Sequence, residues 1–272
     1  MDTLALARTK LRLERWLDSV CRPHIVTPRL DAAMFGEAYV TFDRTNPGPA
    51  ASGNFNRVTL CGADPGMTAS TVNSYIELFQ AEGAERFFVW LMPGPRRDEV
   101  RGWLLAAGMI RGIWTGYPTL TRGVQPPAAV ATDLTISEVG RDDVLQAHLA
   151  LGEATWAARL ASYVQSAGAK DFTHFLAYDG TAPVATAALA VFEGLGYLGF
   201  ASTAEPHRRR GAQQALIAAR LRKAAELGCQ TCVSDTLTML ETSLNNLRRA
   251  GFEEAFETEV YGWENERVET TT

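Results

Sequence analysis

The chain of 272 residues has no window of 18 uninterrupted apolar residues, and its first residues, Met1-Asp2-Thr3-Leu4-Ala5-Leu6-Ala7-Arg8, show no charged segment leading into an apolar run. Neither a membrane-spanning helix nor a secretory leader is predicted, so the expectation is a cytoplasmic protein with no membrane partner. Basic charge is in deficit as well. With 26 Lys+Arg against 31 Asp+Glu the formal net charge is -5, which argues against a nucleic-acid partner, because phosphate-binding faces are strongly basic. Any anion site must be local. Cysteine is scarce: Cys21, Cys61, Cys229 and Cys232 are too few and too scattered for a disulfide framework. Cys229 and Cys232 do form a C-x-x-C, but in a strand-like run positions i and i+3 face opposite sides, and no second pair or clustered His accompanies them. Packing is their predicted role, and no metal site is expected.

What is present is apolar surface. Hydrophobic residues make up 46% of the chain, with twelve Phe and six Trp against 21% charged residues, enough to bury and too much for disorder. Single cores stop growing near ~250–300 residues and domains typically hold about 100–150, so two domains are expected. Helical spacing covers 2–20, and the composition of 44–55 reads as a loop. The pattern then predicts a strand at 58–61, a helix at 69–82 closed by Gly83, a strand at 86–91, a helix at 97–107 closed by Gly108, and a loosely alternating strand at 110–121. Residues 123–132, rich in Pro and Ala, read as a linker. Beyond it come a strand at 134–139, helices at 141–151 and 155–167, and strands at 172–178, 182–192 and 196–203 joined by turns at Asp179-Gly180 and Glu193-Gly194. A long helix at 211–227 follows, with Leu216, Ile217, Leu221 and Ala224 on one side and Arg220, Arg222, Lys223 and Glu226 placed elsewhere. A strand at 229–235, a helix at 241–250 and a strand at 252–263 complete the chain.

The two halves share an order. Ala81-Glu82-Gly83 precedes one strand as Glu226-Leu227-Gly228 precedes another, and Ala107-Gly108-Met109 recurs as Ala250-Gly251-Phe252. Helix, Gly, strand, helix, Gly and aromatic-rich strand thus occur twice, which predicts a tandem duplication with one degenerate copy. The expected domains are 1–122 and 133–272, with 123–132 between them.

The stretch that points to chemistry is Arg208-Arg209-Arg210-Gly211-Ala212-Gln213-Gln214, where a strand passes through a turn directly into an amphipathic helix. A helix start offers up to four unpaired N–H groups and the positive end of the dipole, which together bind phosphate. Gly211 permits a positive φ or close approach of phosphate oxygens, and three arginines raise the local field. A Walker loop is excluded because no Gly-Lys pair exists in the chain, and the turn itself carries one glycine rather than the three of a dinucleotide fingerprint.

With these residues in order, the second half resembles the GNAT superfamily of acyl-CoA N-acyltransferases. Its pyrophosphate signature, after the fourth strand, is Gln or Arg, two residues, Gly, one residue, then Gly or Ala. Arg208 and Gly211 fit, and Gln213 stands at the last position. Ser243 to Phe252 resembles the family's late helix with its Asn and closing Gly-Phe. The resemblance implies an α/β (α+β) fold with a mixed, mostly antiparallel sheet flanked by helices, here in two tandem copies. It implies acetyl-CoA as cofactor, held at its pyrophosphate by Arg208 through Gln214, with its arm along Ala201, Ser202 and Thr203 beside a bulge and Asn246 near the far end.

The implied reaction is direct attack of a primary amine on the thioester. For the base the candidates are Asp235, at the end of the fifth strand, and Glu205; both could equally be a cap and a surface charge. Many members place a tyrosine acid four residues before the late glycine. Leu247 stands there, which leaves Ser243 or water. Trp156 and Tyr163 are candidates for an acceptor pocket, against a core role, while His148 and His174 read as structural and His207 as lining the phosphate site. The expected partner is a small-molecule amine, with a homodimer left open. A CoA-binding protein without turnover and a protein lysine acetyltransferase are the competing readings. The turn Ala63-Asp64-Pro65-Gly66 of the first half carries an acidic residue in place of arginines, so one CoA per chain is expected.

Overall fold

A computed structural model of the chain describes residues 2–21, 36–43, 56–112, 116–125, 130–151 and 164–264. The first half runs α1 (Thr3–Cys21), β1 (Tyr39–Thr41), β2 (Arg57–Cys61), α2 (Ala69–Ala81), β3 (Arg86–Met92), α3 (Arg97–Ala106), β4 (Ile110–Arg111) and β5 (Tyr117–Gly123). The second runs β6 (Thr135–Val139), α4 (Arg141–Leu151), β7 (Phe172–Asp179), β8 (Ala182–Phe192), β9 (Leu195–Thr203), a 3-10 turn (Glu205–His207), α5 (Ala212–Glu226), β10 (Thr231–Asp235), α6 (Glu241–Arg249) and β11 (Glu253–Glu264). Most predicted elements stand within a residue or two. Two differ. The strand expected at 110–121 is broken into β4 and β5, with Gly112 and Gly116 at positive φ beside the break, and β1 is too short to show an alternation. The predicted loop 44–55 and most of the helix 155–167, with Trp156 and Tyr163, lie outside the described residues, as does the side chain of His148. Among the described residues no helix is long and apolar enough to cross a membrane.

The four glycines of the repeat do what helix-ending glycines do. Gly83, Gly108, Gly228 and Gly251 follow α2, α3, α5 and α6 at φ 76°, 80°, 79° and 82°, the left-handed region that a side chain disfavours. Each is followed by a strand. The chain forms two compact units whose boundaries interleave: 1–118 with 237–239 and 256–272, and 119–236 with 240–255. They differ from the contiguous 1–122, 123–132 and 133–272 because the last strand of each half lies in the sheet of the other.

In the first unit β1 pairs antiparallel with β2, β2 parallel with β3, and β3 antiparallel with β11, which also takes β4. In the second, β5 pairs antiparallel with β10, β10 parallel with β9, and β9, β8, β7 and β6 follow antiparallel. Each unit therefore holds one parallel pair, completed by an antiparallel strand from the opposite half. Each has its own core. Val58, Leu60, Phe87, Val89 and Leu91 pack with Tyr75 and Phe79 of α2 in one; Phe175, Ala187, Leu189 and Leu198 pack with Leu216, Ile217 and Leu221 of α5 in the other.

Cys229 and Cys232 belong to this second core, and burial first of all pushes the Cys232 thiol up to about 12. They are packing residues.

The other face of the first sheet carries charge inward. Arg57 donates to Glu14 and Asp18 of α1, each at 3.0 Å, and its guanidinium lies 4.9 Å from the Trp90 ring. On the core face, across from Leu91, Glu259 of β11, 5% exposed, accepts from Arg101 Nε and Nη2 at 2.9 and 2.6 Å and from the Tyr261 hydroxyl at 2.5 Å. Burial alone would raise its pKa, but the Arg101 and Tyr261 hydrogen bonds, with the charges of Arg97 and Arg111, hold it at about 2. A carboxylate depressed below its unfolded value of about 4.3 contributes stability at higher pH and loses it as pH falls through the folded value. Glu259→Gln is thus expected to cost about 2–3 kcal/mol at neutral pH through weakened charge-assisted hydrogen bonds. Its Tm-against-pH curve should also be flatter than wild type between about pH 4.5 and 2. Parallel curves would contradict the assignment.

Candidate functional site

Two strands part in the second unit. The β9/β10 ladder runs from Leu195/Thr231 to Val233/Tyr197 and ends there, although β9 continues to Thr203 and β10 to Asp235. Beyond the ladder Ser234 Oγ reaches across, donating to the Leu198 carbonyl at 2.8 Å. On the other edge of β9 the register with β8 shifts: Ala188 faces Gly199, yet Thr186 faces Ser202. The extra residue is a bulge, and Phe200 adopts φ 55° within it. Bulges bend a strand away from its neighbour and free backbone groups, so the parting of β9 from β10 follows from it.

A residue that sequence reasoning misplaced supports this bulge. The helical pattern places Arg220 away from the apolar side, but it is 2% exposed and its Nη1 donates to the carbonyls of Ala188 and Gly199, at 3.4 and 3.3 Å, beside the register shift. Its spacing of four from both Leu216 and Ala224 was the available signal.

Past the bulge the chain makes the Arg-Gly turn. Arg209 has φ 65° and Gly211, the N-cap of α5, has φ 81° with no side-chain cap. Left-handed residues leading into a helix turn successive N–H groups toward one concavity, and the first-turn amides of Ala212, Gln213 and Gln214 have no intrahelical acceptors. Gly211 is required for a second reason: a Cβ there would stand 2.7 Å from the Ala131 carbonyl oxygen. Thr132 Oγ1 donates to the Arg210 carbonyl at 2.7 Å. The end of the predicted linker is thus packed against the turn.

The three arginines divide. Arg210 is committed internally, donating to Asp133 and to Asp179 at 2.5 Å each and approaching His207 Nδ1 at 3.0 Å; these bonds lower the pKa of both carboxylates. Arg208 and Arg209 are exposed and pair with nothing among the described residues, which leaves their charge available at the turn. Gln213, where the family pattern has Gly or Ala, donates to the Ser202 carbonyl at 3.1 Å and Thr203 Oγ1 at 2.8 Å. Gln214 donates to the Asn246 carbonyl at 2.7 Å. Helix start, strand end and late helix are thereby tied together, and with them Ser202, Thr203, Gln213, Gln214 and Asn246; Ala201 lies exposed beside the bulge.

The candidate catalytic residues are more dispersed. Asp235 ends β10 and accepts from Thr119 Oγ1 at 2.9 Å. Ser243 is exposed on the first turn of α6, and Glu205 is exposed in the 3-10 turn beyond β9. Leu247 is buried in the core at 5% exposure. His174 is buried and bonded to Ser166 Oγ at 2.9 Å, a structural placement.

The corresponding region of the first half has the opposite character. The β2/β3 ladder stays paired to Cys61/Met92, and Gly62 N–H still reaches the Met92 carbonyl. Arg96 Nη1 donates to the carbonyls of Asp64, Pro65 and Met67 at 2.7, 3.0 and 3.0 Å, and Asp64 Oδ1 accepts the Gly66 N–H at 2.8 Å. That loop points carbonyls at its own cation and covers an amide with its own carboxylate.

A mixed sheet parted at one point, with a bulge on one lip and an uncapped left-handed turn opening a helix, is the arrangement of the GNAT fold. Residues 142–252 match the model of the acetyltransferase (GNAT) family. Among solved structures it is similar to a GCN5-related N-acetyltransferase from Kribbella flavida (TM-score 0.64, 15% identity, covering 95% of this chain and 96% of that one). It is also similar to a tandem GNAT protein from the clavulanic acid biosynthesis pathway (TM-score 0.58, 13% identity, 92% and 94%) and to a GCN5-related N-acetyltransferase from Sphaerobacter thermophilus (TM-score 0.59, 16% identity, 84% and 80%). At these identities the likeness is one of fold. No curated protein matches the sequence.

Proposed function

We propose that the protein moves an acetyl group from acetyl-CoA to a primary amine of a small molecule. The observation that carries this reading is the parting of β9 from β10 next to an uncapped, left-handed helix start flanked by two uncommitted arginines. Acetyl-CoA supplies the activated thioester. The amides of Ala212, Gln213 and Gln214, with Arg208 and Arg209, hold its pyrophosphate, and the opened edge of Ala201, Ser202 and Thr203 receives the arm, with Asn246 beside it. An alkylamine has a pKa near 10, so its attack needs a proton acceptor. Asp235 takes that role, directly or through one water, with Glu205 as the second candidate; the departing thiolate takes up a proton through Ser243 or water, the Ser243 hydroxyl being reprotonated from solvent as it gives its own.

The buried Leu247 favours a second reading, binding without turnover, since the position of the family's tyrosine acid is filled by core. The first half, with its closed ladder and Arg96-filled loop, is proposed to be a degenerate copy that binds no CoA. Calorimetry with acetyl-CoA is therefore expected to give one site per chain. Two sites would refute the degenerate copy, and none would refute the proposed function. Thiol release over amines and a lysine peptide then separates small-molecule transfer, protein acetylation and binding alone.

A further inference from the structure

We infer that the first half of the chain furnishes a positioning residue to the site of the second: Thr119, on β5, fixes the carboxylate of Asp235. This rests on the proposed role of Asp235 as the group that takes the amine's proton.

β5 stands opposite β10 over five register positions, Gly123/Thr231 to Thr119/Asp235. On its other edge β10 loses β9 after Val233. For Ser234 and Asp235, β5 is therefore the ladder partner, and the wall of the opening is held by a strand that precedes the predicted linker. Directly opposed residues on antiparallel strands share a face with Cβ atoms about 4.5–5.5 Å apart, which brings the Thr119 hydroxyl to Asp235 Oδ1 at 2.9 Å. Thr119 is fully buried, and its branched Cβ restricts χ1. The hydroxyl is thus held in one direction and sets the rotation of a carboxylate that ends its strand.

Proton transfer needs the acceptor oxygen within about 2.6–3.2 Å of the donor or of one bridging water, a demand that a freely rotating aspartate meets less often. Thr119 touches no reacting atom and acts through Asp235. A first half that binds no CoA would on this account be retained because its last strand builds the catalytic edge.

The test uses the full chain, with acetyl-CoA and putrescine, glucosamine or tyramine as acceptor. Thr119→Val removes the hydroxyl and keeps the branched shape; Thr119→Ser restores it. Thr119→Val is expected to lower kcat about tenfold to thirtyfold while the calorimetric Kd for acetyl-CoA stays within about twofold, and Thr119→Ser recovers most of the rate. Loss of Tm and acetyl-CoA affinity together, without recovery by serine, would mean a merely structural residue and overturn the inference. Asp235→Asn separates the two layers. If it loses about a hundredfold or more in kcat while Thr119→Val loses nothing, the inference alone fails; if Asp235→Asn keeps wild-type kcat, the assignment of Asp235 fails and takes the inference with it.

Discussion

Replacing Arg208 and Arg209 together by glutamate is expected to weaken acetyl-CoA binding about fiftyfold at low ionic strength, near 2.3 kcal/mol. Two unit charges about 6 Å apart in water interact by ~0.7 kcal/mol, and the double reversal changes the local charge by four beside a pyrophosphate. Both side chains are exposed and pair with nothing among the described residues, so the change breaks no internal contact and Tm should hold. The effect should shrink at about 1 M salt, where the screening length falls to ~3 Å. An acetyl-CoA affinity indifferent to the double variant would place the anion site elsewhere. Gly211 is the less informative target, because any side chain there meets the Ala131 carbonyl at 2.7 Å and a φ of 81°, and disrupts the turn whatever its charge.

Deleting residues 253–272 is expected to unfold the unit built on the first half of the chain, although the cut lies in the second. β11 pairs with β3 from Glu259/Leu91 to Glu264/Arg86, and it brings Val260 at 3% exposure, Tyr261 at 0% and Glu259 into that unit. Burying each large apolar side chain stabilises by about 1.5–3 kcal/mol, and the deletion leaves the Arg101 fork without its carboxylate. Against a typical domain stability of ~5–15 kcal/mol such a loss is most of the total. The β3 edge would also be left open, a template for aggregation. Fluorescence of Trp90 and Trp103 should report the change on thermal or urea unfolding. A truncated chain that keeps a cooperative transition for the first unit would show that the exchanged strand is dispensable.

The repeat, the helix ends and the Arg-Gly turn are legible in the sequence because each is written locally. Apolar residues three and four apart mark a helix face, glycines mark the left-handed ends at 83, 108, 228 and 251, and the Arg-Gly turn leads into α5 within a few residues. Local signals do not say which strand a strand will meet. β5 and β11 each come after the last helix of their half, and that order does not specify that β5 joins β10 and β11 joins β3; pairing is settled by closing long loops against buried area. The same limit applied to side chains. By sequence Arg210 reads as a phosphate ligand, but Asp133 and Asp179 engage it; Arg220 reads as lying off the apolar side, but it bonds carbonyls at the bulge; Asp64 reads as a repulsive charge, but Arg96 fills its loop. The sequence by itself determined that an Arg-Gly turn opens α5 on this fold. The tertiary structure decided which groups around that turn are free to act, because a charge is available only when folding has not already paired it.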